Sequence, residues 1–125
     1  MKKIETSNAP GAIGPYSQGM VSGKLVFTSG QIPLDPKTGA IAGDTIEAQS
    51  EQALKNLQAV LEAGGAGLQT VIKTTCFLAD MGDFAAFNAV YAKFFTGDCP
   101  ARSCVAVKTL PKNVLVEVEA IAEAL

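Results

Sequence analysis

Near its end the chain carries Val114-Leu115-Val116-Glu117-Val118-Glu119-Ala120-Ile121, a run that alternates in character with a period of two. Successive side chains of a strand point to opposite faces, so Val114, Val116, Val118 and Ala120 share one face, and Leu115, Glu117, Glu119 and Ile121 share the other. The valine face demands a hydrophobic cover that the rest of the chain must supply.

Two amphipathic helices are placed to supply it. Ala53, Leu54, Leu57, Val60 and Leu61 recur at helical spacing. Asp44 and Glu47 form a plausible capping pair ahead of that run, and Gly64-Gly65 ends it. Asp83 can cap a second helix, with Phe84, Phe87, Val90, Tyr91 and Phe94 as its apolar stripe and Thr96-Gly97 closing it. Further strands are predicted at Ile4, Tyr16 to Val21, Leu25 to Ser29, Val71 to Leu78 and Ser103 to Val107, before the last at Val114 to Ala122. Loops are marked by the prolines and glycines of Asn8 to Pro15 and by Pro33, Asp35-Pro36 and Thr38-Gly39. No linker, repeat or low-complexity tract interrupts the order, so residues 1–125 read as one domain. Strands, helix, strand, helix, strands predict an α+β two-layer sandwich: a mixed β-sheet with two helices on one face. Val26, Ile72, Val105 and Leu115 suggest that the uncovered face is not fully polar, which points to a homo-oligomer.

Composition narrows the chemistry. The chain has no histidine, which removes Ser-His-Asp and Cys-His sites and imidazole metal ligands. Acid–base work would fall to carboxylates, thiols, lysine, tyrosine or bound water. Ten basic residues against twelve acidic ones give a net charge of −2, and only Lys2-Lys3 are adjacent. No basic stripe could neutralise a run of phosphates, so nucleic acid is not an expected partner. No stretch approaches the ~20 apolar residues of a membrane span, and the N-terminal segment lacks an apolar signal run. Three cysteines suit a reduced compartment better than a secreted disulfide framework, so a cytoplasmic protein is expected. Neither G-x-x-x-x-G-K-[ST] nor G-x-G-x-x-G occurs.

Several residues could carry chemistry. Glu117 and Glu119 lie about 7 Å apart on one strand face. They form either a solvated acidic edge or a carboxylate buried at a subunit junction, where its pKa would rise. Arg102 follows Pro100 and Ala101 at a strand entry; it is either a carboxylate clamp or a surface salt bridge. Cys104 shares its face; it is either a thiol activated by Arg102 or a small buried residue. Cys99 and Cys104 have neither C-x-x-C spacing nor a histidine, so no metal site is expected. Asn88 sits on the aromatic stripe of the second helix and needs a partner if buried. Tyr16 follows Gly14-Pro15 in a rigid loop, and Ser29 precedes Gly30 where backbone can approach a ligand.

Together these segments resemble a known family. Asn8-Ala9-Pro10, Ile13-Gly14-Pro15-Tyr16-Ser17-Gln18, Thr28-Ser29-Gly30-Gln31-Ile32-Pro33, Lys73-Thr74-Thr75, Pro100-Ala101-Arg102-Ser103-Cys104 and Glu117-Val118-Glu119-Ala120-Ile121-Ala122 look like the RidA family of reactive intermediate deaminases. The resemblance runs in order over essentially the whole chain. It implies a chorismate-mutase-like (RidA-like) fold, a homotrimer with sites between subunits, and hydrolysis of 2-imino acids or their enamine tautomers to 2-keto acids and ammonia. The substrates would be released by pyridoxal-phosphate enzymes, and neither cofactor nor metal would be needed. Carried over by position, Arg102 would bind the substrate carboxylate and Glu119 would orient or activate water. Tyr16, Ser29, Gly30, Asn88 and Cys104 would line the pocket. Two other readings are a non-catalytic small-ligand-binding trimer, against which Arg102 weighs, and a ribonuclease or translation inhibitor, against which the acidic charge and absent histidine weigh.

Overall fold

The computed structural model describes residues 1–125. Six strands form one sheet: β1 (Lys2–Ile4), β2 (Gly19–Ser22), β3 (Leu25–Thr28), β4 (Val71–Leu78), β5 (Ala101–Ala106) and β6 (Val116–Glu123). Two helices, α1 (Ile46–Ala63) and α2 (Phe84–Phe94), complete the domain. The strand order is β1-β2-β3-β6-β4-β5. Only β4 and β5 run parallel, joined by the crossover through α2; the other pairs are antiparallel. The expected mixed sheet with two helices on one face is the observed architecture.

The alternation in β6 sets the layers. Val116, Val118, Ala120 and Ala122 are buried, and Glu117, Glu119 and Ile121 between them are half-buried. On the buried side they join one core with Leu54, Leu57 and Leu61 of α1 and Phe87 of α2. Each such side chain, fully buried, contributes about 1.5–3 kcal/mol. The end of α1 comes so close to the sheet that a Cβ on Gly64 would fall 2.6 Å from Ile4 and 2.8 Å from Val26. That approach needs glycine for space; Gly65 after it has φ +87°, the left-handed turn that ends the helix.

Some expectations shift. The cap of α1 is Thr45, whose hydroxyl accepts from the Ala48 N–H, in place of the Asp44–Glu47 pair. Asp83 stands at the start of α2 without a capping bond; Asp80 instead accepts from the Gly82 N–H in the tight turn before it. β5 begins at Ala101, because its parallel register with β4 already starts at Lys73 opposite Ala101. β2 begins only at Gly19, leaving Tyr16 in the loop. Val26 belongs to the helix-covered face, fully buried opposite Ala122. Ile72 falls at a register irregularity between Val71 and Lys73 and is 45% exposed.

The second face of the sheet has no covering layer. Phe27 and Val105 are exposed there at 37% and 48%, with half-buried Phe77 and Ile121 nearby, whereas half-buried Leu115 packs against the core cluster. Glu117 and Glu119 lie within this mostly apolar surface.

Candidate active site

Arg102 lies on β5, the edge strand, in register with Thr74 of β4. Thr74 is fully buried beneath the helices, so Arg102 also points to the helix side of the sheet. One guanidinium N–H donates to Asn88 Oδ1 of α2 at 2.8 Å. The guanidinium carbon stands 4.8 Å from the ring centre of Tyr91 and 5.5 Å from that of Phe84. No carboxylate approaches it. The ion pairs of the chain are Lys3–Glu5 and the i, i+4 pair Lys55–Glu51, both exposed. Arg102 is therefore not part of a surface salt bridge, and most of its five donors are uncommitted within the protomer.

Cys104 lies two residues on, opposite the buried Cys76. Burial pushes its thiol above the usual range, and the nearby Arg102 offsets this only in part. Cys104 is thus a neutral thiol within the protomer, not a nucleophile poised by the arginine. Its backbone has a further use. The Val107 N–H bonds to the Leu78 carbonyl, and peptide direction alternates along a strand. Ser103 and Val105 consequently pair inward, and Arg102 and Cys104 present their N–H and C=O groups to the free edge.

A second group of expected residues gathers elsewhere. A cavity of about 530 Å³ is lined by Tyr16, Ser29, Gly30, Gln31, Lys112 and Glu117, among others. Gln18 pins the loop that forms one wall: its amide donates to the carbonyls of Thr6, Ala9 and Pro10 at 3.0, 3.3 and 2.7 Å. Tyr16 is 53% exposed, and its hydroxyl accepts from the Ile13 N–H at 3.4 Å. The Ser29 hydroxyl is committed to the Ser17 carbonyl at 2.6 Å. Ser29 is therefore a wall of the cavity and a brace for Tyr16's loop. After Thr28 the chain leaves regular pairing with β6 and returns as a bridge from Gln31 to Val118. Gly30 lies in that gap, and its N–H donates no hydrogen bond within the chain.

The carboxylate in this cavity is Glu117. A Cβ on Gly30 would collide with its Oε2, so glycine is what admits the carboxylate there. Burial, and secondarily repulsion from Glu119, push the Glu117 carboxyl above the usual range. Glu119 shares the strand face, opposite Thr75, but does not line the cavity. The family resemblance points to Glu119 as the carboxylate that handles water; within the protomer it is Glu117 that lines the cavity. Residues i and i+2 of a strand share a face, so only the distant contact with Gly30 distinguishes the two. Lys112 also lines the cavity. It and Asn113 both have positive φ, +57° and +56°, a strained pair at the cavity rim. The only sequence signal was the Pro111-Lys112-Asn113 turn. No cluster of three or more cysteine or acidic side chains is arranged to hold a metal.

Within one protomer the two groups do not meet. Arg102, Asn88 and Cys104 lie on the helix side of β5. Glu117, with Tyr16, Ser29 and Gly30, belongs to a cavity entered from the opposite face of β6. With β4 between them, β5 and β6 are about 10 Å apart.

The fold is one already seen in solved structures. Escherichia coli TdcF, solved with bound serine, superposes with a TM-score of 0.95 at 48% identity, over 100% of both chains. A family model described as endoribonuclease L-PSP matches residues 6–124. A 2-iminobutanoate/2-iminopropanoate deaminase of Salmonella typhimurium is 55% identical over 97% of this chain and 96% of its own. A Lactococcus lactis protein named as the regulator AldR is also 55% identical, over 98% of both chains. The chain belongs to the RidA family, whose members carry deaminase, regulator and endoribonuclease names. No helix in it is long and apolar enough to cross a membrane.

Proposed function

We propose that the protein is a 2-iminobutanoate/2-iminopropanoate deaminase, a hydrolase that converts small 2-imino acids and their enamine tautomers to 2-keto acids and ammonia. The observation that carries this reading is Arg102, a guanidinium seated on an amide and an aromatic ring with no carboxylate of its own. Such a group is suited to a planar carboxylate from a ligand. The deaminase name of a relative 55% identical over nearly the whole chain supports it.

The proposed site is completed by assembly. A homotrimer would bring Arg102, Asn88 and the free edge of Cys104 from one copy to Tyr16, Gly30 and Glu117 of the next. The exposed apolar sheet face and the unpaired charges on both sides favour this arrangement.

The chemistry needs little beyond orientation and charge. Arg102 holds the substrate carboxylate, which fixes C2 of the imine in the cavity. With the substrate bound as its protonated iminium, Glu117, as carboxylate, takes a proton from water as the water oxygen bonds to C2 and the C=N π pair moves onto nitrogen, leaving an amine. Glu117 then returns its proton to that amine. The C–N bond breaks with its electron pair leaving on ammonia, and the remaining hydroxyl passes its proton to Glu117, and from there to solvent, to give the keto acid. A carboxyl raised toward neutrality suits both duties. Neither cofactor nor metal enters this scheme.

The test couples the protein to a dehydratase that releases 2-iminobutanoate in place. Wild type should speed keto-acid appearance, and Arg102→Ala should not. Equal rates with and without wild-type protein would end the reading.

A further inference from the structure

Arg102 packs on a residue that has no part in the chemistry above. Tyr91 of α2 puts its ring 4.8 Å from the guanidinium carbon. Its hydroxyl lies 2.8 Å from that of Thr74, a hydrogen bond wholly inside the core. Thr74 is in turn the register partner of Arg102 on the neighbouring strand. The three residues thus close a loop: strand β4 holds the tyrosine hydroxyl, the tyrosine ring supports the guanidinium, and the guanidinium springs from β5 beside Thr74. Phe95, stacked on Tyr91 at 4.5 Å, and Phe87, at 5.6 Å, support the ring from other sides.

We propose that Tyr91, anchored by Thr74, is a positioning residue for Arg102: its ring fixes the guanidinium plane so that the donors not used by Asn88 face outward toward a ligand carboxylate. A cation held against a ring face keeps its charge and its in-plane donors, which a carboxylate partner would consume. The inference rests on the assignment of Arg102 as a carboxylate clamp.

Its test separates the two ideas by measuring binding of 2-oxobutanoate, an unreactive keto acid with the same carboxylate, alongside imine turnover. Arg102→Ala should lose keto-acid binding; if it binds like wild type, the clamp itself is wrong. Tyr91→Leu should weaken binding and raise KM about tenfold with kcat nearly kept, the size expected for a partly desolvated cation–π contact. Tyr91→Phe retains the ring and should restore KM to within about threefold of wild type. Val26→Ala, a truncation in the core of β3, which β6 and β4 separate from the strand of Arg102, should lower thermal stability without moving KM. The proposal is overturned if Tyr91→Leu leaves binding intact while Arg102→Ala abolishes it, or if Val26→Ala raises KM as much as Tyr91→Leu. Should Tyr91→Leu fail to fold, Tyr91→Met takes its place under the same criteria.

Discussion

Arg102 and Glu117 stand on opposite faces of one sheet, with β4 between their strands. Neither has an oppositely charged partner within the protomer. If both act on one substrate, the residues must come from different copies of the chain. Arg102→Ala and Glu117→Gln subunits, each inactive alone, should therefore regain activity when unfolded together and refolded as a mixture. Random assembly would leave roughly a quarter of sites with both native residues. No recovery in the mixture, with each variant still trimeric, would show that each copy builds its own site.

The trimer has its own check. Sedimentation should report three times the 12.9 kDa of one chain. A single-chain mass at working concentration would remove the shared site.

Loss of the clamp should be severe. Arg102→Ala should reduce kcat/KM by an amount equivalent to about 2–5 kcal/mol, as for truncation of one member of a buried charge pair. Arg102→Lys should recover little, because an ammonium cannot reproduce the paired, planar donors. Steady-state kinetics on the coupled assay decides both.

Glu117 and Glu119 should separate in a pH profile. Glu117→Gln should abolish turnover. Turnover needs Glu117 ionised, so the rate should rise with pH through its elevated pKa. Glu119 contributes to that elevation by repulsion, after burial. Glu119→Gln should then keep activity and move the acid limb to lower pH. An inactive Glu119→Gln beside an active Glu117→Gln would restore Glu119 as the working carboxylate. Gly30→Ala makes the same point sterically: its methyl takes the carboxylate's place, and kcat should fall about a hundredfold with the fold kept.

The cysteines should differ in reactivity. Cys99 is exposed, Cys104 half-buried and Cys76 buried. Alkylation of the native protein near neutral pH should label Cys99 first and Cys76 only on unfolding. Burial pushes the Cys76 thiol up to about 12 from its ordinary 9.0. The native state therefore keeps this proton after the unfolded chain has lost it. The associated stability is complete below pH 9.0 and is lost as pH rises toward 12, a trend that Tyr91 and Cys104, both also raised, reinforce. Thermal melts from about pH 8 to about pH 11 should show the decline, and Cys76→Ala should flatten it.

What could be read from the sequence follows a physical division. Periodic burial is local, so β4 at Val71–Leu78, the α1 core stripe and the two faces of β6 were all visible in the residues. Choices between near-equivalent neighbours were not. Asp44 and Thr45 are both good helix caps, and only the backbone geometry selects Thr45. Glu117 and Glu119 share a face, and only the close approach of Gly30, from far along the chain, puts one of them in the cavity. Ile72 lies beside a register irregularity that the alternation does not show, so a period of two cannot assign its face. Arg102 was recognisable as a candidate, but its seat on Asn88 and Tyr91 required α2 to lie over β5.

The two carboxylates on the bare sheet face also discriminate among surfaces that could cover it. An entirely apolar face would adhere to almost any other apolar surface. Here, any apolar cover that closes tightly over Glu117 and Glu119 must strip water from them, at a cost of several kcal/mol for each ion left unpaired. A cover that leaves a wet cleft over the carboxylates avoids that cost. The acids thus narrow the range of surfaces that can close over this face.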